Sequence, residues 1–337
     1  MNSRNTTVAV YGAYGHTARF VIDELGRRGF GLILSGRDEE RLLALGNDLP
    51  GVPIRPASAD DPGSLDRALS GAAAVINCAG PFAHTAVPVL DAAVRAGAHY
   101  LDVSAEQVVS LAIFERAADA STVVVPSMAF FGGLGDLLAT SAAGGWTDAD
   151  AVEIGIALDS WHPTEGTRLT GRVNVPRHLI YTGGTFVPAP RPPRTQKWNF
   201  PSPSGTLEVS ELATADSVTI SRHLSTPEIH VHMNQQPLRD VGDPGTPAPV
   251  AADDSGRSSQ TFLVDAVVRR GGEERRATAS GRDIYAATAP LVVEATARIL
   301  DGRITRTGAA APGELFDARD FLRALAPTSL TLLGDGS

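Results

Sequence analysis

One cysteine in 337 residues, Cys78, excludes an intramolecular disulfide framework and any Cys-rich zinc cluster, and points to a reducing, cytoplasmic setting. Lysine is almost as scarce. Lys197 alone accompanies the arginines that make up the rest of the 29 basic residues, and it lies in a Pro-rich stretch, which argues against Schiff-base catalysis. A Tyr-x-x-x-Lys pair is also missing, because Tyr100, Tyr181 and Tyr285 are followed four residues later by Ser104, Thr185 and Ala289. No His-x-x-x-His, Cys-x-x-Cys or Gly-x-Ser-x-Gly pattern occurs, so neither a metal site nor a serine hydrolase is expected. No uninterrupted apolar run reaches the ~18 residues of a membrane span, and the polar segment Met1 to Thr7 is too short for a signal peptide. Basic excess is lacking too: net charge is −9 and the isoelectric point about 5.4, which opposes nucleic-acid binding. The expected partner is a small molecule, and a homodimer is left open.

What is present is the composition of an ordinary globular protein, 43% hydrophobic and 20% charged, in a chain about twice the commonest domain size. The first half alternates short apolar runs with amphipathic segments. Strands are predicted at Thr7–Tyr11, Gly31–Ser35, Val52–Pro56, Ala74–Cys78, Tyr100–Val103 and Thr122–Val125. Helices are predicted at Thr17–Arg28, Glu39–Leu49, Pro62–Ala68, Val87–Ala96 and Val108–Ala120. Strands that are apolar on both faces belong to a parallel sheet covered by helices, so the fold class is α/β, a Rossmann doubly wound parallel sheet.

Beyond about residue 150 the pattern changes to alternating segments, Val152–Leu158, Val218–Ser221, Ile229–Met233 and Phe262–Val268. These predict a second, α+β domain on a mostly antiparallel or mixed sheet. Val187–Pro203 and Asp240–Arg257 read as long connections, either a mobile lid or plain surface. Asp283–Leu300 and Ala318–Leu325 read as helices returning to the first domain. The expected division is 1–130 for dinucleotide binding, 131–280 for substrate and 281–327 for the returning helices.

Between the first strand and the first helix stands Gly12-Ala-Tyr-Gly15-His-Thr-Ala18. Gly12 permits a tight turn, Gly15 lets backbone approach a pyrophosphate, and Ala18 allows close helix-strand packing while the helix N-terminus attracts phosphate. Tyr14, His16 and Thr17 lie within the same turn and join the cofactor-binding set. At the end of the second strand, where an NAD site carries an acidic residue, the chain offers Ser35 and Arg37. A guanidinium suits a 2′-phosphate, so NADP(H) is the expected cofactor; the competing reading pairs Arg37 with Asp38 on the surface. Asp60 either hydrogen-bonds the adenine amine or is an ordinary loop acid. Ala79, Gly80 and Pro81, after the fourth strand, let the cofactor cross the carboxyl edge of the sheet.

Gly12-Ala-Tyr-Gly15-His-Thr, Cys78-Ala-Gly-Pro-Phe82 with Ala96 through Glu106, and Ala129-Phe-Phe-Gly132-Gly133-Leu-Gly-Asp136 together resemble the saccharopine dehydrogenase-like reductases and the related trans-acting enoyl reductases. Gly281 to Glu294 and Phe316 to Phe321 are similar to that family's C-terminal helices. The resemblance implies an NADPH-dependent reductase that transfers hydride to a C=N or C=C bond, an imine or enoyl reductase of specialised metabolism, with a mixed sheet beside the cofactor domain. Saccharopine reductases carry Asp and Pro in the third segment, where this chain has Phe131 and Gly132. That difference sets amino-acid substrates apart from this chain.

The proton donor is sought among Tyr100, Asp102, Ser104 and Glu106, which follow the fifth strand, and His84. Asp102, His84 and Tyr100 are the catalytic candidates, against helix capping for Asp102 and a surface position for His84. His99 reads as structural. Phe131, Arg168 and Tyr285 are the substrate-binding candidates: Arg168, or Arg172, could clamp a carboxylate, and Tyr285 could donate a hydrogen bond. Two other classes remain open, a non-catalytic NADP-binding sensor and a lyase that uses bound NAD(P) transiently.

Overall fold

Apolar side chains on both faces of Thr7–Tyr11 (β1) place this strand at the centre of a parallel sheet, where Val8, Ala9 and Val10 have no exposed surface. The structure, a computed structural model, describes residues 6–174 and 178–333, so Met1–Asn5 of the polar leader lie outside the described residues. The chain alternates through α1 (His16–Arg27), β2 (Gly31–Gly36), α2 (Glu39–Asn47), β3 (Ile54–Pro56), α3 (Pro62–Leu69), β4 (Ala74–Asn77), α4 (Phe82–Ala96), β5 (His99–Asp102), α5 (Gln107–Arg116) and β6 (Val123–Val125). Local chemistry sets several boundaries. The Asp38 and Asp61 carboxylates accept the Arg41 and Ser64 amides at the starts of α2 and α3, and Gly97, with φ +68°, ends α4.

The chain forms two compact units, one of residues up to 129 with 288–310, the other of 130–287 with those from 311 onward. In the first, seven parallel strands run in the order β15-β6-β5-β4-β1-β2-β3, β15 being Gly308–Ala309. The order reverses direction between β1 and β4, and in open α/β sheets ligands bind outside the carboxyl ends at that point. This is the doubly wound parallel sheet the sequence predicts. Most of helix α10 (Ile284–Leu300) belongs to this unit, and its Glu294 bonds Arg28 at 2.5 Å and Arg298 at 2.7 Å.

The second unit holds α6 (Gly135–Ala143), β7 (Ala151–Leu158), α7 (Glu165–Asn174), β8 (Leu179–Thr182), β9 (Thr185–Pro188), β10 (Thr195–Asn199), β11 (Thr206–Glu211), α8 (Asp216–Ser221), β12 (Ile229–Asn234), α9 (Gln235–Gly242), β13 (Thr261–Arg270) and β14 (Glu273–Arg282). After β15 come α11 (Pro312–Leu315), α12 (Ala318–Leu325) and β16 (Thr331–Leu333). Its sheet runs β10-β11-β12-β7-β13-β14-β16, with the β8-β9 hairpin joined to β12. The pairing of β12 with β7 is parallel and the others are antiparallel, so the sheet is mixed. One face packs on α6. On the other, the Trp198 ring lies flat on Gly155, where a Cβ would come within 2.3 Å of it.

Three sequence readings change here. Val218–Ser221 lies in helix α8, not in a strand; its β-branched alternation spans too few residues to fix a period, and Asp216 to Ile220 are buried all round, as a short enclosed helix allows. Val187–Pro203 is not one long connection, because Thr195–Asn199 pairs with β11 as an edge strand. The last predicted helix, Ala318–Leu325, belongs to the second unit, where it packs on α6, rather than returning to the first.

Candidate functional site

The turn after β1 is built on backbone. Gly12 has φ +80°, a conformation that suits glycine, and a Cβ there would stand 2.8 Å from the backbone of Ala79. Its amide and that of Ala13 bond the Ser35 carbonyl at 2.8 and 3.0 Å, which fixes the turn to the end of β2. Helix α1 follows with Gly15 as its N-cap, no side-chain cap and no acidic residue in the first turn. That helix end is therefore electropositive and uncapped, as an anion site requires. Thr17 is half-buried and Ala18 fully buried, and the His16 ring meets Phe20 edge to face at 5.5 Å.

At the neighbouring strand end, Ser35 is fully buried with its hydroxyl lacking a protein partner. Arg37 is exposed and forms no hydrogen bond or ion pair among the described residues, while Asp38 caps α2 instead of pairing with it. Tyr14 lies against Gly36, whose Cβ would approach its ring at 2.9 Å, and the Arg41 guanidinium stacks over that ring at 4.5 Å. Arg41 was passed over in the sequence. Its signal is the spacing Arg37-x-x-x-Arg41 across the start of α2, which presents two cations near one strand end. Asp60 is exposed, and it and Arg37 both act electrostatically on Tyr11. Burial pushes the Tyr11 phenol up to about 12, and the neutral hydroxyl donates to the Ala57 carbonyl at 3.3 Å. An orphaned buried hydroxyl, two cations and a glycine turn at an uncapped helix fit the phosphates and ribose of a dinucleotide.

On the other side of β1, Ala79, Gly80 and Pro81 form the loop between β4 and α4. Beneath it lies a closed polar network. Asn77 donates to the Tyr100 hydroxyl at 3.4 Å and accepts the Ala79 amide at 3.0 Å; Tyr100 donates to Asp102 at 3.0 Å. The other Asp102 oxygen accepts the amides of Ser104 and Ser127 at 3.0 and 2.8 Å. Ser127 sits at φ +54°, and its hydroxyl lies 2.6 Å from that of Ser110 and 3.0 Å from that of Ser104.

Tyr100 and Asp102 have no exposed surface, and burial raises the pKa of both above its ordinary value. Their polar atoms hold the strand end together, so the geometry gives these two catalytic candidates an anchoring position rather than a wall open to substrate. His84 is exposed on the first turn of α4 and is not brought to them. His99 is structural: its Nδ1 accepts the Val123 amide at 3.0 Å, and burial lowers its pKa.

The substrate candidates lie in the second unit. Phe131 is extended, with φ −90° and ψ 125°, and Gly132 follows at φ +101°, where proline, held near −65°, could not stand. Phe131 meets Phe130 edge to face at 5.0 Å and lies beside Trp161 at 5.7 Å with ring planes 30° apart. Tyr285 fixes Trp161. Its hydroxyl takes the indole N–H at 3.0 Å and the Thr164 amide at 3.3 Å, and lies 2.9 Å from the Thr167 hydroxyl. Burial raises the phenol pKa, which keeps it protonated. Arg168, by contrast, donates to the carbonyls of Asp243 at 3.1 Å and Thr246 at 2.5 Å, so its guanidinium serves a loop rather than standing ready as a carboxylate clamp. Arg172 is exposed on α7. Among the described residues no cluster of His, Cys, Asp or Glu could hold a metal ion, and no helix is long and apolar enough to cross a membrane.

Residues 8–125 match the family model of the saccharopine dehydrogenase NADP binding domain. A human saccharopine dehydrogenase-like oxidoreductase is 30% identical over 145 residues, 36% of this chain and 34% of that protein. A trans-acting enoyl reductase of Mycobacterium bovis is 28% identical over 109 residues, 31% of this chain and 26% of that one. The chain spans about a third or less of the length of these relatives. Apo saccharopine dehydrogenase (L-Glu forming) from Saccharomyces cerevisiae shares the fold, with a TM-score of 0.67 over 97% of this chain and 99% of that one, at 15% identity.

Proposed function

We propose, for a chain whose residues 8–125 belong to the saccharopine dehydrogenase NADP-binding domain family, an NADP(H)-dependent oxidoreductase that reduces a C=N or C=C bond of a small molecule. The observation that carries this reading is the juxtaposition, on one carboxyl edge, of the Gly12–Gly15 turn, the unpartnered Ser35 hydroxyl and the exposed Arg37. When bound, NADPH supplies the hydride. The chain's own residues supply the rest. The amides at the start of α1 would take the pyrophosphate, and Arg37, with Arg41 stacked on Tyr14, would take the 2′-phosphate.

For the substrate, the half-buried Trp161, held by Tyr285, offers an aromatic side chain, and the occupied guanidinium of Arg168 removes one clamp that an anionic amino acid would use. These features favour an unsaturated, weakly charged substrate over a dicarboxylic amino acid. NADPH oxidation followed with cyclic imines and enoyl thioesters tests the reading. Turnover with one of these classes is expected, and tight NADPH binding with no turnover on either overturns it. The second reading, an NADP-binding sensor, has one observation in its favour: Tyr100 and Asp102 are sealed from solvent, which leaves exposed His84 alone among the catalytic candidates.

A further inference from the structure

The loop Ala79–Phe82 meets the phosphate turn directly, since a Cβ on Gly12 would stand 2.8 Å from the Ala79 amide nitrogen and Cα. In the sheet, β4 flanks β1 on the side opposite β2. A dinucleotide whose adenosine ribose lies at Ser35 and Arg37 therefore directs its other half toward this loop. Two buried side chains hold the loop at its two ends. Asn77 accepts the Ala79 amide at 3.0 Å, and Glu106, only 3% exposed, accepts the Phe82 amide at 3.1 Å through Oε1. Between them the Thr85 hydroxyl donates to the Ala79 carbonyl at 2.5 Å.

A buried carboxylate is a costly partner for the Phe82 amide. Phe82, itself buried, begins α4, whose N-cap, Pro81, has no side chain able to cap it, and the carboxylate that takes its amide comes from 24 residues away. What the carboxylate adds is a bond from the segment after β5 to the loop after β4. The Asn77-Tyr100-Asp102 chain makes a second bond between the same two strand ends. Together they tie the loop backbone to the ends of β4 and β5.

The geometry points to Glu106 and Asn77 as positioning residues for the nicotinamide half of the cofactor, acting through the Ala79–Phe82 backbone. This rests on the NADP-binding reading above. The test compares two ligands, NADP+ and adenosine 2′,5′-bisphosphate, which carries the 2′-phosphate end but has nothing to lay on the loop. In the full chain, Glu106→Ala is expected to weaken NADP+ at least tenfold while leaving the bisphosphate within twofold. Glu106→Gln, which keeps an acceptor oxygen, is expected to restore most of the NADP+ affinity. Thr85→Val removes the Ala79 carbonyl bond at nearly constant volume; if Glu106→Ala does not fold, this variant carries the test, with an expected loss of at least threefold for NADP+ alone. Equal weakening of both ligands, or unchanged NADP+ affinity in a folded variant, overturns the inference. Wild-type chain that binds neither ligand overturns the NADP reading itself.

Discussion

At the scale of single residues, the proposed preference for NADP(H) rests on Arg37. It is exposed, without a partner among the described residues, at the strand end where an acidic side chain would select NAD. A charge-assisted phosphate contact is worth about 1.5–3 kcal/mol, so Arg37→Asp is expected to weaken NADPH by roughly ten- to a hundredfold and to improve NADH. Calorimetric titration of the variant with both cofactors checks this, and an unchanged preference would count against it. Gly12 is constrained twice, by φ +80° and by the Ala79 backbone 2.8 Å from where a Cβ would stand. Gly12→Ala should therefore cost about 1–3 kcal/mol of stability in thermal or urea unfolding, from backbone strain and overpacking, and should also weaken NADP+. The tight turn at Gly12 was legible in the sequence because glycine's type and its place after a strand fix the backbone there. The full burial of Tyr100 and Asp102 was not. Alternation placed them on one side of β5 but could not show that this side is sealed by Asn77, Ser104 and Ser127.

At the scale of elements, the first unit was readable because its strands are apolar on both faces and its turns carry Gly, Asp and Pro where geometry needs them. Helix α8 was not, and it carries a pH signature. Burial pushes the Asp216 carboxyl from 3.8 up to about 6, against the hydrogen bond from Thr214 that lowers it. The folded chain then holds this proton more tightly than the unfolded chain, so stability should fall as pH rises from 3.8 to about 6. Asp216→Asn removes that decline; at about 1.4 kcal/mol per pKa unit the gain at pH 7 is on the order of 3 kcal/mol. Urea unfolding at several pH values measures it, and a variant as pH-dependent as wild type over that window would contradict it.

On β12 the sign falls in a different window. His230 bonds Glu211 at 2.7 Å and Glu228 at 2.9 Å, and its pKa is raised, first by Glu211. Its contribution is full below 6.5 and is lost as pH rises through the raised value. His230→Gln should abolish that alkaline loss in the same measurement. The rest of the second unit escaped sequence reading because its contacts join distant segments: Tyr285 meets Trp161 across 124 positions, and Trp198 meets Asp265 across 67.

At the scale of the whole molecule, the family model of the NADP binding domain covers residues 8–125, and the aligned segments of the curated relatives cover about a third of the chain. The match to the yeast enzyme covers 97% of the chain, and at 15% identity it shows the fold alone. The most direct test of the central claim is calorimetric titration of the full chain with NADPH and with NADH under one buffer condition. Binding of NADPH at least tenfold tighter than NADH is the expected result; equal affinities, or no heat from either cofactor, would contradict the account.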